Sequence, residues 1–540
     1  MNVVTIGMRP LTVEDLGKVA RGAAVELHPS AIDRIRAGRA VVEAALAAGE
    51  PIYGLNTGVG RLKDVRLAEK ELRHSQETLV RTHAGGLGAP ESTEVVRAAL
   101  AVRVNGISRG GSGASLAVAE TLMALLNSGV HPVVPRDGSV GAADLPQMAA
   151  IGLVAMGEGR AEYKGQILPG GEALRRAGIA PLAVEAKDGL ALVSANGISV
   201  GRGALVAMRA MDLAETADVA AALSLEAIRG NPSLTLPVVG AAKPYPGQTA
   251  ACGSMRAALA GSYLLEPEAP ASIQDPLSFR VAPQVHGALR EFISFARRAV
   301  EIELNSMSDN PLVSIEDGTI IHNGNFHPIV LALAFDALRI AVVHVGQLSE
   351  RRTGHLWDSF FASAAVVQGQ LPAGREFPGL ALRYAAASQF AELKQLGAPA
   401  TLDVPPLDME IEDHATSAPL TVGKTASALE LLENLLTIEF LLAGTCSRFP
   451  APYRGWERRA ARRCAPSTGL WPALGKIGHR RPSTSWCAPS YPRITGSSPP
   501  TVAFESVPTP WNSRAEPITR QIARRSARYP WFRSSGGTAS

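Results

Sequence analysis

Apolar residues recur at helical spacing along most of the first 444 residues. Three long segments, 289–307, 329–350 and 420–443, carry apolar positions three and four residues apart, which is the pattern of helices that bury one face. Hydrophobic residues make up 46% of the chain and aromatic residues only 5%, a composition that suits packed helices better than packed sheets. The sequence therefore predicts a mostly α fold with a long helical bundle.

The N-terminal part predicts a smaller, mixed region of short helices, loops and a few strands. Thr12 and Asp15 have the spacing of a capping box, so one helix should begin there. A second helix is predicted over 30–49, between an N-terminal serine and a C-terminal glycine. Short strands are predicted at 182–184 and within 312–321. We divide the chain into an N-terminal unit (1–200), a central helical bundle (201–444) and a separate tail (445–540).

The net charge of +4 conceals two unlike parts. Residues 445–540 hold 16 Lys/Arg and 3 Asp/Glu, whereas residues 1–444 hold 37 and 46. The tail also holds three of the four cysteines and five of the six tryptophans, and it lacks helical or strand periodicity. It could be a disordered basic arm, a small cysteine-bearing domain, or the product of a shifted reading frame. Its Arg/Pro/Ser/Trp-rich composition favours the frameshift, so we assign it no function and expect no nucleic-acid partner.

Several classes of protein lack support in the sequence. No run of about 18 apolar residues predicts a membrane span, and Met1 to Pro10 does not resemble a secretory signal, so we expect a cytoplasmic protein. A phosphate-binding GxxxxGK[ST] loop is absent, and no GxGxxG lies between a strand and a helix. The cysteines lack CxxC spacing, so no metal site is predicted.

The chemistry-bearing residues are concentrated in Gly/Pro-rich loops between the predicted helices. Loops held by a rigid scaffold are frequent positions for functional sites. They occupy 53–60, 81–83, 138–146, 194–197, 274–280, 308–311, 323–327 and 411–414.

Each of these residues also has a purely structural interpretation. Tyr53 could anchor a loop, Asn310 precedes a proline as in many turns, and His83 could be a buried histidine. Arg280 could pair with Asp275, and Glu412 could cap a helix. Their chemistry alone indicates a small polar ligand, with Arg280 for a carboxylate, Glu412 or His83 for a cationic or ring group, and Tyr53 as acid or base.

Together and in order, these motifs resemble the histidine, phenylalanine and tyrosine ammonia-lyases, from the N-terminus to about Gly444. The matching segments are YGLNTGVG (53–60), GSVGA (138–142), KDGLAL (187–192), QDP-S-R (274–280), SDNPLV (308–313), GNFH (324–327) and EDH (412–414). The resemblance implies a long helical bundle, a homotetramer whose active sites each draw on three subunits, and an amino acid substrate.

The resemblance also implies roles for individual residues. Tyr53 would take the β-proton, and Arg280 would hold the substrate carboxylate. Asn196 and Asn310 would position polar groups, although three residues rather than one separate GLAL from Asn196. Phe326 would pack near the electrophile, while His83 and Glu412 would meet the side-chain ring. A hydroxyl residue before His83, together with Glu412 in an EDH context, favours the histidine lyases.

The sequence departs from the family where the family builds its catalytic electrophile. Its internal cofactor, methylidene-imidazolone (MIO), forms from Ala-Ser-Gly, and the expected run is GSVGA-SGD-L. Here Ala142 is followed by Ala143 and Asp144. The segment is therefore one residue shorter than in the family, and it lacks both the serine and the glycine of the tripeptide. Ser139 precedes the β-branched Val140, which should oppose ring closure. We therefore expect no MIO and no other cofactor. Leu277 also stands where the family usually has tyrosine.

Three functions remain under consideration. The first is an ammonia-lyase-like elimination by a variant that lacks the usual electrophile. The second is a catalytically silent homologue that binds amino acids or assembles with an active paralogue. The third, a lyase of the fumarase/aspartase type, is disfavoured because its characteristic loop is absent.

Overall fold

The computed structural model describes residues 3–361 and 381–446, so the tail predicted from residue 445 lies almost wholly outside the described residues. The α-helices of the described residues are α1 Val13–Ala20, α2 Pro29–Ala48, α3 Leu72–His83, α4 Thr93–Ile107, α5 Leu116–Ser128, α6 Leu145–Ala155, α7 Gly170–Ala177, α8 Asp188–Val193, α9 Gly197–Ala227, α10 Pro237–Ala242, α11 Pro246–Ala258, α12 Leu277–Arg280, α13 Ala282–Leu304, α14 Ile329–Phe361, α15 Leu382–Leu396 and α16 Ala418–Cys446. The strands are β1 Val3–Ile6, β2 Ala24–Leu27, β3 Leu87–Pro90, β4 Val130–Pro132, β5 Pro135–Asp137, β6 Arg160–Tyr163, β7 Gln166–Pro169, β8 Leu312–Ser314 and β9 Thr319–Ile321.

Four long helices, α9, α13, α14 and α16, form the bundle. The three segments with helical periodicity correspond to α13, α14 and α16, so the prediction of a mostly α bundle is confirmed. Alanines recur on the buried face of α9, where small side chains allow close packing of the neighbouring helices. A fully buried ion pair between Arg352 of α14 and Glu439 of α16, with N···O distances of 2.6 and 3.0 Å, also receives a hydrogen bond from Ser224 of α9.

The N-terminal region is mixed: of the four small sheets in the described residues, three lie there, β1–β2, β3–β5 and β4–β6–β7. The capping box of α1 is present, because Thr12 Oγ1 accepts from the Asp15 amide while Asp15 accepts from the Thr12 amide. Segment 312–321 forms the antiparallel hairpin β8–β9, as predicted. The strand predicted at 182–184 is wrong, because this segment has no strand partner. Its buried Leu182 instead donates its amide to the Ala155 carbonyl at the end of α6.

Two of the described helical stretches are long and apolar enough to cross a membrane. They are residues 188–227 and 329–361. In the most apolar 18-residue window of each stretch, 94% and 61% respectively is buried inside the molecule. Helices in the core of a bundle need the same apolar character, so packing accounts for both stretches.

The bundle carries the functional loops at one end. Helix α9 begins beside Asp144, which binds Ser199, while α13 ends near the same carboxylate through Glu303. At about 1.5 Å per residue, α13 is about 35 Å long. Loops that follow α13 are therefore separated from loops that precede it by the length of the bundle. The boundary predicted at residue 200 falls inside α9, and the division into two units stays a prediction.

Candidate functional site

The Tyr53 loop is held by hydrogen bonds from three directions. The Tyr53 hydroxyl oxygen accepts from the Gly60 amide at 3.0 Å, and its ring meets His322 edge-on at 6.3 Å between centroids. Gln76 of α3 donates to the Gly54 carbonyl and accepts from the Leu190 amide of α8. The phenol is therefore fixed by its own loop and by two helices rather than exposed on a free loop.

Glu412 lies in a tight turn close to Tyr53. Leu407 and Glu412 exchange backbone hydrogen bonds across a turn in which Asp408, Met409 and Glu410 all have positive φ. Side-chain-bearing residues rarely adopt this conformation, so the turn stores strain. Asp408 anchors it by accepting the Arg61 amide at 2.8 Å, which ties the turn to the Tyr53 loop. Glu412 does not cap a helix.

The electrostatics of this cluster are dominated by negative charge. Burial raises the pKa of Tyr53, and the Glu412 and Asp408 carboxylates raise it further, against the hydrogen bond from Gly60. Burial and the Asp408 charge raise the pKa of Glu412, whereas His83 lowers it. Neither carboxylate forms an ion pair with a lysine or arginine of residues 3–361 and 381–446. A cation placed here would relieve the repulsion between the carboxylates and a phenolate at Tyr53.

His83 is oriented by the helix on which it lies. Its Nδ1 is 2.7 Å from the Leu79 carbonyl oxygen in the preceding turn of α3. A carbonyl oxygen can only accept, so Nδ1 carries a proton and donates it to Leu79. Nε2 is then the ring nitrogen of this half-buried imidazole that is left for a ligand beside Glu412.

Residues 138–144 form a buried loop with two alanine methyl groups at its centre. Ala142 is 8% exposed and Ala143 is 2% exposed, and Ala143 has φ of 60°. The Ser139 hydroxyl donates to the Ala143 carbonyl at 2.9 Å and accepts from the Gly141 amide at 3.0 Å. The only hydroxyl of the loop is therefore already occupied in closing the turn.

The same loop is fixed from outside by the start of α16. Thr416 donates to the Gly141 carbonyl at 2.8 Å, and the Ser417 amide donates to the Val140 carbonyl at 2.8 Å. A Cβ at Gly141 would lie 2.3 Å from Thr416 Oγ1, so glycine is required for this close approach.

Asp144 links this loop to the first turn of α9. Its carboxylate accepts the amide and the hydroxyl of Ser199, both at 2.7 Å, and the residue is fully buried. Burial raises the pKa of Asp144 to about 6, although both bonds from Ser199 act in the opposite direction. Burial and the neighbouring Asp144 raise the pKa of Glu303 to about 7. Two carboxyl groups that titrate near neutral pH thus lie behind the alanine loop.

Asn196 connects α9 to the loop that carries Phe326. Its Nδ2 donates to the Phe326 carbonyl at 3.1 Å. Its Oδ1 is buried and accepts no hydrogen bond from any described residue, so it is available to a ligand donor. His327 follows Phe326, and its Nε2 is 2.7 Å from Nδ1 of His414. These contacts link the Asn196, Phe326 and His414 segments to one another, and Glu412 lies two residues before His414.

Asn310 lies between α13 and the β8–β9 hairpin. Its Oδ1 accepts the Asn323 amide at 3.0 Å, next to the His322 ring that meets Tyr53. The preceding Asp309 forms a buried two-point ion pair with Arg103 of α4, at 2.7 and 3.2 Å. Asn310 is therefore a turn residue, as its proline neighbour indicates, and it also faces the cluster.

Arg280 is the one predicted site residue that the chain does not bring to the others. It ends α12, two residues before α13 begins at Ala282, whereas Asn310 lies six residues beyond the end of α13 at Leu304. The length of α13, about 35 Å, separates them. Asp275 does not pair with it, since that carboxylate accepts the Asn231 amide at 2.6 Å. Leu277 on the same short helix is 60% exposed.

Sequence reasoning missed Asp408, Gln76 and Glu303, and it did not foresee the contacts of Ser139. Asp408 had a usable signal, because an acidic residue four positions before Glu412 in a polar loop can share its site. The roles of Ser139, Gln76 and Glu303 depend on contacts between distant segments, which no local pattern indicates.

The family model, the sequence relatives and the solved structures that match this chain agree with one another. The family model described as aromatic amino acid lyase matches residues 11–462, which extends beyond Gly444. The histidine ammonia-lyase of Gloeobacter violaceus is 39% identical over 436 residues, covering 80% of this chain and 85% of that protein. Ergothionase from Treponema denticola, an ergothioneine-degrading enzyme solved with desmethyl-ergothioneine sulfonic acid, has a TM-score of 0.80 at 26% identity, covering 89% and 100% of the two chains. Histidine ammonia-lyase from Trypanosoma cruzi has a TM-score of 0.76 at 29% identity, covering 89% of each.

Proposed function

Because the chain belongs to the aromatic amino acid lyase family and is close to histidine ammonia-lyase, we propose that it is a carbon–nitrogen lyase. It breaks the Cα–N bond of an amino acid that carries a ring and releases an α,β-unsaturated acid. The single observation that carries this proposal is that contacts and charge interactions link the segments of Tyr53, His83 and Glu412 with those of Asn196 and Asn310. A bundle that needed these residues only for folding would not require them to meet.

In this proposal Tyr53 is the base that removes the β-proton. Its hydroxyl oxygen already accepts from the Gly60 amide, a contact that also stabilises the phenolate. Glu412 and His83 receive the ring of the substrate, with the carboxylate accepting from a ring N–H. Asn196 offers its free Oδ1 to a substrate donor. Base catalysis of this kind contributes roughly 10²–10⁴-fold, which is below typical enzymatic accelerations.

We also propose a homotetramer in which Arg280 reaches the site from another subunit. Arg280 lies about 35 Å from Asn310 along α13 within one chain, so it cannot hold a carboxylate beside its own Tyr53. A second copy in antiparallel arrangement would bring the two ends of the bundle together. A cytoplasmic location is part of the same proposal.

The residues present do not fit the family's MIO group, and we propose that this chain does not form it. Formation requires a serine side chain that can lose water and a flexible following residue. Ala143 offers only a methyl group, and the Ser139 hydroxyl is engaged by Ala143 and Gly141. The intact mass of the purified chain tests this point, because MIO formation would lower the mass by two waters.

A silent homologue is the second candidate, favoured by Ala143 and Leu277. The test is incubation of the full chain with L-histidine, L-phenylalanine and L-tyrosine, following amine release and the conjugated acid by absorbance and mass spectrometry. Tyr53→Phe should abolish product, and Tyr384→Phe, which alters a tyrosine that is 75% exposed, should not. A folded chain that binds these compounds, and their N-methylated forms, without releasing any amine would support the silent homologue.

A further inference from the structure

The absence of an electrophile in this loop constrains what the substrate nitrogen can be, provided that the proposed function holds. The proton most easily taken from an ordinary amino acid by a phenolate is an ammonium proton. The α-ammonium group of an amino acid is a somewhat stronger acid than a phenol, whose pKa is about 10, and a C–H next to a ring is far less acidic than either. A phenolate at Tyr53 would therefore remove a proton from nitrogen first.

Loss of that proton blocks the elimination. A neutral primary amine would have to leave as an amide anion, which is far too basic to depart unaided. A covalent partner for the nitrogen would solve this problem. The only hydroxyl group of residues 138–144 is that of Ser139, and it already donates one hydrogen bond, to Ala143, and accepts one, from Gly141. The substrate must then bring a nitrogen that carries no proton and leaves as a neutral amine.

The surroundings of the site favour such a nitrogen. The side chains of the buried Ala142 and Ala143 are methyl groups, which accept no hydrogen bond, so this loop suits a methylated nitrogen better than an N–H donor. Glu412 and Asp408 repel negative charge at Tyr53 and form no ion pair with a described lysine or arginine. A permanent cation attracted by these carboxylates would also favour the phenolate form of Tyr53. The Tyr53 ring adds an aromatic face, as in sites that bind quaternary ammonium groups.

We propose that the substrates are N,N,N-trimethylated betaines of ring-bearing amino acids, and that the leaving group is trimethylamine. Tyr53 takes the β-proton, the C–H electron pair forms the Cα=Cβ double bond, and the Cα–N pair departs with nitrogen. The products are trimethylamine, the α,β-unsaturated acid and a protonated Tyr53, so no oxidant, reductant or further co-reactant is needed.

The test compares matched pairs on the full chain: L-histidine with N,N,N-trimethyl-L-histidine, and L-phenylalanine with N,N,N-trimethyl-L-phenylalanine. Nuclear magnetic resonance follows trimethylamine, an enzymatic assay follows ammonia, and absorbance follows the unsaturated acid. We expect kcat/KM for at least one betaine to exceed that of its parent amino acid by at least about 100-fold. Tyr53→Phe should remove this activity, and Tyr384→Phe should retain it.

Two results would overturn the inference, and they are distinguishable. Ammonia released from an amino acid as efficiently as trimethylamine from its betaine would contradict the substrate class but leave the lyase function standing. No amine from either member of both pairs, with the chain folded by circular dichroism, would contradict the lyase function as well.

Discussion

The side-chain amide of Asn196 donates a 3.1 Å hydrogen bond to the carbonyl oxygen of Phe326, a residue 130 positions further along the chain. The bond fixes the loop of Phe326 against the first turn of α9, beside the alanine loop. Since Asn196 Oδ1 is buried without a described partner, the residue holds one loop and leaves one acceptor free. Asn196 thus positions the Phe326 loop through Nδ2 and leaves Oδ1 as an acceptor for a ligand.

Replacing Asn196 with alanine should reduce turnover more than it reduces stability. The loss of one hydrogen bond should lower the free energy of unfolding by about 1 kcal/mol. Turnover should fall by at least about tenfold, because a displaced Phe326 loop misaligns the site. Asn434→Ala, which removes an exposed bond to Gln389, is the control. Thermal melts and steady-state kinetics measure both effects, and equal turnover in the two variants would count against this role.

The Glu412→Gln variant tests the electrostatic coupling to Tyr53. The Glu412 charge raises the pKa of Tyr53, so its removal should lower that pKa. If the phenolate of Tyr53 is the base, kcat/KM increases with pH as the phenolate forms. In the variant this increase should occur at lower pH than in the wild type. The measurement is the pH dependence of kcat/KM, with Glu430→Gln, an exposed residue of α16, as control. A rise displaced to higher pH would refute the coupling.

The pH dependence of stability should contain a contribution from Asp144. Its pKa is raised from 3.8 in the unfolded chain to about 6 in the folded protein. The contribution is fully present below pH 3.8, is lost as pH rises to about 6, and amounts to roughly 3 kcal/mol. Asp144→Asn can keep both contacts with Ser199, because its oxygen accepts the amide and its nitrogen donates to the hydroxyl.

The measurement compares wild-type and Asp144→Asn unfolding in denaturant at several pH values between 4 and 7. Relative to the wild type, the variant should become more stable as pH rises through this window. The variant should also lower the pKa of Glu303, since the Asp144 charge raises it. A stability difference that does not change with pH would show that Asp144 is not the titrating group.

Gly60 and Gly318 provide a matched pair of glycines with positive φ, 54° and 63°. An alanine at either position bears left-handed strain of about 1 kcal/mol. Only at Gly60 would the new Cβ meet a neighbour, 2.1 Å from Asp408 Oδ2, whereas nothing lies within 4 Å at Gly318. Displacing the Asp408 carboxylate costs little stability but loosens the turn that carries Glu412.

The Gly60→Ala variant should therefore have a melting temperature close to that of Gly318→Ala but a lower activity. The Gly318→Ala variant should keep an activity close to that of the wild type. Melting temperature and kcat/KM are the two readouts. Similar activity in both variants would show that the link between the two loops does not matter for the reaction.

Mixing two inactive variants tests whether Arg280 acts across subunits. Tyr53→Phe removes the base and Arg280→Ala the carboxylate contact. If each site uses Tyr53 of one chain and Arg280 of another, co-expressed variants should form some sites with both native residues. We expect partial recovery of activity, measurable on the purified mixed oligomer. Activity no higher than that of either variant alone would place both residues in one chain's site.

The sequence by itself determined the long helices and indicated most residues of the candidate site. Periodicity identifies α13, α14 and α16, because burial of one helix face imposes local spacing that survives in the chain. The capping box of Thr12 and Asp15 is equally local. The residues Tyr53, Glu412 and Asn196 were identified through the family motifs in which they lie, and those motifs are also local in the sequence.

Only the tertiary structure decided which of these residues meet. The 35 Å length of α13 separates Arg280 from the cluster, and no local pattern records that separation. Asp408 acts on Tyr53 because a strained turn brings it to the Arg61 amide, a contact between residues 347 positions apart. Residues 182–184 have the composition of a strand but lack a partner strand. Pairing, charge coupling and distance are properties of the packed bundle, so they follow from the fold rather than from any segment alone.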